Sequence, residues 1–143
     1  MINMNAVTIE SAEQKDYASW LPLWINYQTF YRTKISDEVT KLTWERFLTP
    51  NEPVYCAVAK YDGKIVGLVH YLFHRSTWAE SNYCYLEDLF VSEDVRGQHI
   101  GKQLIEYVQQ QANLLLLPPS FQQPSSASDK EPTGFRDFSF LFP

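Results

Sequence analysis

One run constrains this chain more than any other: Tyr85-Leu86-Glu87-Asp88-Leu89-Phe90-Val91, then Ser92-Glu93-Asp94-Val95, then Arg96-Gly97-Gln98-His99-Ile100-Gly101-Lys102. A buried-looking strand feeds a short acidic turn, the turn opens into a loop with two glycines, and a helix starts directly behind it. Glycines at a strand-to-helix junction let backbone N–H groups approach a ligand closely. The helix N-terminus adds partial positive charge, so the junction suits an anion, typically a phosphate.

The rest of the chain sets bounds on what that junction serves. At 143 residues it reads as one domain, 1–143, and its 45% hydrophobic and 15% aromatic content predicts a folded globule. A formal charge of −5 argues against a nucleic-acid partner and is compatible with a cationic small substrate. No apolar run is long enough to span a membrane, and the N-terminus lacks a secretory pattern, so a cytoplasmic protein is expected. Cys56 and Cys84 sit in strand-like runs and read as buried reduced thiols. His70, His74 and His99 show no metal-ligand spacing with them, so no metal is expected.

Residues 7–10 alternate as a first strand. Asp16 can cap a helix that carries Trp20, Leu23, Trp24, Tyr27, Phe30 and Tyr31 at helical spacing, with Pro22 tolerable only near its start. That aromatic face is either core packing or, at Tyr27 and Tyr31, the lining of a substrate entrance. Ser36 caps a second helix, with Val39, Leu42, Phe47 and Trp44 as its inward residues, stopped by Thr49-Pro50-Asn51. Residues 54–60 and 65–75 form a hairpin around Asp62-Gly63. Gly67 predicts a bulge or a close backbone approach. His70 and His74 face the same way in a strand and read first as structural or surface histidines, with a proton shuttle as the alternative. The helix behind the loop turns Ile100, Leu104, Ile105 and Val108 to one side and ends near Ala112.

After Asn113 the composition changes. All nine tyrosines and all four tryptophans lie before that point. Residues 114–117 could be a buried strand, residues 120–130 are mostly Ser, Gln and Pro, and Phe138, Phe140 and Phe142 alternate as a final strand.

With these residues in place, residues 7–112 resemble the GCN5-related N-acetyltransferase (GNAT) superfamily. The family's acetyl-CoA loop, Gln/Arg-x-x-Gly-x-Gly/Ala, is matched from Arg96 to Gly101, with His99 where the middle glycine is expected. The run from Tyr85 to Val91 looks nearest the polyamine (spermidine/spermine) and histone acetyltransferase-like branch. The resemblance implies a GNAT α/β fold: a mixed, mostly antiparallel sheet flanked by helices and splayed at the strand that binds acetyl-CoA. It implies that backbone groups of Leu89, Phe90 and Val91 pair with the pantetheine arm. The amides of Gly97, Gln98, His99, Ile100, Gly101 and Lys102 would cradle the pyrophosphate, with Arg96 and Lys102 supplying charge.

The chemistry implied is N-acetylation of a primary amine, polyamine-like or a lysine side chain. Such an amine, with a pKa of about 10, has to lose a proton before attack. Glu87 is the candidate acceptor of that proton, while Asp88 points to the other face if alternation holds. A strand-end carboxylate paired with a nearby Lys or Arg is the plainer reading of Glu87. The family's general-acid tyrosine has no counterpart, and at best Ser128 stands in its place. A misread C-terminus, a divergent enzyme, or an acyl-CoA-binding module with little turnover would each account for that. Homodimerisation is common in the family and is a further expectation.

Overall fold

A computed structural model describes residues 7–78, 80–116 and 140–142. In chain order the elements are β1 (Val7–Ser11), α1 (Tyr17–Phe30), α2 (Asp37–Leu48), β2 (Val54–Tyr61), β3 (Lys64–Arg75), β4 (Asn82–Val91), α3 (Ile100–Leu116) and β5 (Phe140–Phe142). The sheet runs β1-β2-β3-β4-β5 with every neighbouring pair antiparallel. β5 reaches only Cys84, Tyr85 and Leu86, so among the described residues no strand covers that edge of β4 from Glu87 onward. Ser128 and Phe138 lie outside the described residues.

The sheet is the middle of three layers. On one face α3 inserts Ile100, Leu104, Val108 and Ala112, one residue per turn, against Ala57, Ala59, Val69, Tyr71, Cys84 and Leu86. On the other, α1 and α2 bring Trp20, Leu23, Trp24 and Trp44 against Cys56, Val58, Ile65, Leu68 and Phe90. Neighbouring residues of β2 serve opposite layers, as the pleat requires. Both cysteines are buried and free, and burial pushes the Cys84 thiol up to about 12, so it is an inert packing group.

Two bulges interrupt that alternation. Ala59 pairs with Gly67 but Lys60 pairs with Ile65, so Val66 is the extra residue. The expected close approach is at Gly67, where a Cβ would meet Leu104 Cδ1 at 3.2 Å and the Phe90 carbonyl oxygen at 3.3 Å. In β4, His70 pairs with Asp88 but Tyr71 pairs with Leu86, which leaves Glu87 as the extra residue. The hairpin turn is as expected, with Asp62 and Gly63 at φ 56° and 77°, both positive as a two-residue turn of this type needs.

Several local expectations are corrected. Asp16 does not cap α1 with its side chain. It caps the short 3-10 turn before it by accepting from the Glu13 amide at 2.8 Å, and pairs with Lys60 Nζ at 3.0 Å. Pro22 lies well inside α1, which starts at Tyr17. Ser36 does cap α2, accepting from Val39 N at 3.1 Å, but the inward stripe is Thr40, Trp44, Phe47 and Leu48. Trp44 sets that phase because its ring fills the gap beside Trp20, with centroids 4.7 Å apart. Val39 and Leu42 are therefore left 50% and 43% exposed. Leu114 extends α3 instead of forming a buried strand, and it is exposed.

Candidate active site

The bulge at Glu87 decides what β4 presents. Cys84 and Leu86 face the α3 layer, and regular alternation would send Asp88 and Phe90 there as well. With one residue inserted, Leu89 and Val91 pack on the α3 side, and Phe90 joins the aromatic layer of α1 and α2. Asp88 lands opposite His70, whose Nδ1 lies 2.9 Å from Asp88 Oδ2. The expectation that Asp88 points away is thereby overturned. Both carboxylates line one cavity of about 490 Å³, together with Trp24, Tyr27, Phe47 and His70.

A hydrogen-bonded chain stiffens this wall. The Trp20 indole N–H donates to His70 Nε2 at 3.1 Å. Because an indole nitrogen can only donate, Nε2 carries no proton, and the ring proton sits on Nδ1 facing Asp88. Asp88 also accepts from the Tyr27 hydroxyl, and burial together with the Asp88 charge raises the Tyr27 phenol above its ordinary value. His70 itself is only 4% exposed, walled by Trp24 and Phe47 with ring centroids 4.6 and 4.7 Å away. It is a structural histidine whose partner is a site carboxylate. His74 is exposed and lies outside the cavity.

Glu87 makes no hydrogen bond or ion pair among the described residues, so the plainer reading of a Lys- or Arg-paired carboxylate does not hold. Desolvation at the cavity wall, then repulsion from Asp88, raises its carboxyl above the usual carboxylate range.

A second cavity of about 510 Å³ adjoins the first, sharing Tyr27 and Tyr31. Its lining brings together nearly the whole expected cofactor set: Leu89, Phe90, Val91, Arg96, Gly97, His99, Ile100, Gly101 and Lys102. Gln98 is not among them. Arg96 is fixed in place, its Nε donating to the Val91 carbonyl at 2.9 Å and its guanidinium 5.2 Å from the centre of the Phe90 ring. His99 holds φ 64° and Gly97 φ 86°. The glycine-favouring conformation is thus kept at the position where a histidine stands, and the His99 carbonyl still accepts the first bond of α3 from Gln103 N at 3.1 Å. Among the described residues a Cβ on Gly97 would meet nothing within 4 Å, and one on Gly101 only Val91 Cγ2 at 3.8 Å, which leaves space beside both for a ligand.

A glycine-containing loop thus opens a groove beside the cavity that holds both carboxylates, and the sequence relationships say which family has this arrangement. The model of the acetyltransferase (GNAT) family matches residues 17–115. This chain belongs to the GNAT family. It is 35% identical over 121 residues to a D-amino-acid N-acetyltransferase of Saccharomyces cerevisiae, covering 82% of this chain and 74% of that protein. The same fold is seen in a ribosomal-protein-alanine N-acetyltransferase from Brucella melitensis, with a TM-score of 0.63 and 22% identity over 76% of this chain and 73% of that one. An aminoglycoside acetyltransferase from an uncultured soil metagenomic sample, solved with sisomicin, gives a TM-score of 0.64 and 24% identity over 80% and 75%. The GNAT domain here is an acetyltransferase, of the kind that uses acetyl-CoA as co-substrate.

Among the lining residues of the first cavity that sequence reasoning missed are Gln28 and Arg46. Both are polar positions on helices whose neighbours are aromatic, and no local pattern marks them.

Proposed function

We propose that this chain transfers the acetyl group of acetyl-CoA to the primary amine of a small acceptor, with Glu87 taking the amine's proton. One observation carries the reading: the Glu87 cavity and the groove of the Arg96–Lys102 loop meet at Tyr27 and Tyr31. Acceptor and donor can therefore approach each other from two sides of one aromatic gate.

Acetyl-CoA supplies an acetyl thioester. The first-turn amides of α3 and the Lys102 ammonium suit its phosphates, and the uncovered edge of β4 after Leu86 leaves backbone groups of Leu89, Phe90 and Val91 for an extended, amide-bearing arm. An amide at this edge would also donate to the oxygen on which charge develops.

At the acceptor, a protonated amine is drawn to Glu87 and Asp88. Glu87 removes one proton, the nitrogen lone pair attacks the thioester carbon, the carbon–sulfur bond breaks, and the nitrogen's second proton passes to the departing thiolate or to water. A raised carboxyl is the better base here, since a Brønsted match to an amine of pKa about 10 improves as the base strengthens. Asp88, engaged by His70 and Tyr27, holds charge and position. A thiolate leaves more readily than an alkoxide because thiols ionise near pKa 8.5, so the missing general-acid tyrosine slows the step without preventing it.

The acceptors this reading covers are polyamines, lysine side chains and amino acids, the last being the substrates named for the yeast relative. Glu87→Gln should lower kcat/KM by about 10²–10⁴-fold in an acetyl-CoA-dependent thiol-release assay. Unchanged turnover in that variant removes Glu87 from the role.

A further inference from the structure

The acceptor cavity carries charge of both signs, and amine binding explains only one of them. Arg46, in the last turn of α2, is the sole Lys or Arg among its described lining residues. Among the described residues the Arg46 side chain makes no ion pair and no hydrogen bond. A last-turn arginine is favoured by the helix dipole wherever it points, but this one borders the same cavity as Glu87 and Asp88.

Gln28 adds a donor. It is only 5% exposed, and its Oε1 accepts from the Ile35 backbone N–H at 2.8 Å. A backbone N–H can only donate, so that bond fixes the orientation of the amide. The Gln28 Nε2 group then has no protein acceptor among the described residues, although Gln28 is a lining residue of the cavity. That nitrogen keeps some exposure, so it is open to an acceptor in the cavity.

A diamine or polyamine would meet Arg46 as a like charge and would offer the Gln28 amide nitrogen no acceptor. A molecule with an ammonium group and a carboxylate on one small frame offers the carboxylates and Arg46 each a group of opposite charge, within one cavity. We propose that the acceptor is a free amino acid, its ammonium held at Glu87 and its carboxylate taken by the Arg46 guanidinium and the Gln28 amide. Planar guanidinium donors match a carboxylate bidentately, and the aromatic walls at Trp24 and Phe47 suit an apolar side chain. The proposal rests on the reading of the Glu87 cavity as the amine site, and it narrows the acceptor class of that site.

The test uses matched acceptors that differ only in the carboxylate: D- and L-phenylalanine against phenethylamine, and lysine against cadaverine, with spermidine as the polyamine. The full chain is assayed by thiol release from acetyl-CoA. An amino acid of either hand should exceed its decarboxylated partner in kcat/KM by about 10-fold or more, the worth of a charge-assisted hydrogen bond. Arg46→Gln should collapse that ratio toward one through KM, and Arg46→Lys should restore part of it. Equal or better turnover of phenethylamine, cadaverine or spermidine overturns the amino-acid proposal and leaves amine acetylation at Glu87 standing. A ratio unmoved by Arg46→Gln overturns the assignment of Arg46. Absence of turnover with all of these amines overturns both readings together.

Discussion

Replacing His70 by phenylalanine tests how the acceptor wall is built. The ring stays, and with it most of the packing against Trp24 and Phe47, whose centroids lie 4.6 and 4.7 Å away. Both nitrogens go. Trp20 is fully buried, so its indole N–H loses the 3.1 Å bond to Nε2 with no water to replace it, at about 1–3 kcal/mol. Asp88 loses its 2.9 Å partner, but it is half-buried and keeps Tyr27, so this loss is discounted to about 1 kcal/mol. The sum is about 2–4 kcal/mol, large against a total stability of roughly 5–15 kcal/mol. Urea unfolding followed by tryptophan fluorescence reads it directly, because Trp20, Trp24 and Trp44 share the affected cluster. At roughly 4 °C per kcal/mol the melting midpoint should fall by about 8–16 °C. His70→Gln supplies an amide oxygen toward Trp20 and an amide N–H toward Asp88, and should recover about half of the loss or more. If His70→Phe unfolds within about 0.5 kcal/mol of the parent protein, the Trp20–His70–Asp88 chain is not what holds this wall.

Three further outcomes follow from single observations. His99→Gly removes a side chain from a backbone at φ 64°; strain relief of about 1–2 kcal/mol, less about 0.4–1 kcal/mol for the freer unfolded chain, leaves a gain of up to about 1 kcal/mol that His99→Ala should not show in the same denaturation series. Gly67→Ala places a Cβ 3.3 Å from the Phe90 carbonyl oxygen, a backbone atom that cannot swing aside, so it should lose about 1–3 kcal/mol and weaken binding of CoA measured by calorimetry. Glu87 has a raised carboxyl in the folded state, so the folded chain holds that proton more tightly than the unfolded one. Stability should therefore fall as pH rises from the ordinary carboxylate value through the raised one, and Glu87→Gln should flatten that slope. The acid limb of kcat/KM should lie above the ordinary carboxylate value for the same reason, and a limb at or below it contradicts the assignment of Glu87 as base.

Where sequence and structure agree, a local rule was enough. The Asp62-Gly63 turn needs positive φ at two successive residues, Gly67 needs room that a Cβ would fill, and α3 buries one residue per turn. The groove lining follows from the loop motif, and the left-handed backbone at His99 shows the motif's geometry surviving a change of residue. The phase of α2 was not legible because propensity does not say which of Val39, Leu42 and Trp44 wins the core. The contact between Trp44 and Trp20 decides it, and that contact spans separate helices. Arg46 and Gln28 were silent for a similar reason, since each acquires meaning only when α1, α2 and β4 enclose one cavity.

The bulge at Glu87 is the deepest case, because nothing in Tyr85-Leu86-Glu87-Asp88-Leu89-Phe90-Val91 marks it: there is no glycine and no proline, and every residue fits a regular strand. Its origin is in the partners on both sides of it. Cys84 and Leu86 are claimed by the α3 layer before the bulge, and Leu89 and Val91 are claimed by the same layer after it. Two pairs separated by an odd step cannot face one way in a regular pleat, so one extra residue has to fall between them. That insertion sends Phe90 toward Tyr27, with centroids 6.0 Å apart, and Asp88 to His70. It also leaves Glu87 at the cavity wall without a hydrogen-bonding partner among the described residues, raised in pKa and beside a second carboxylate. The packing demands of a hydrophobic layer on one face of the sheet thus assemble the acid pair on the other, and this is why a reading of β4 strand by strand finds only one of the two carboxylates.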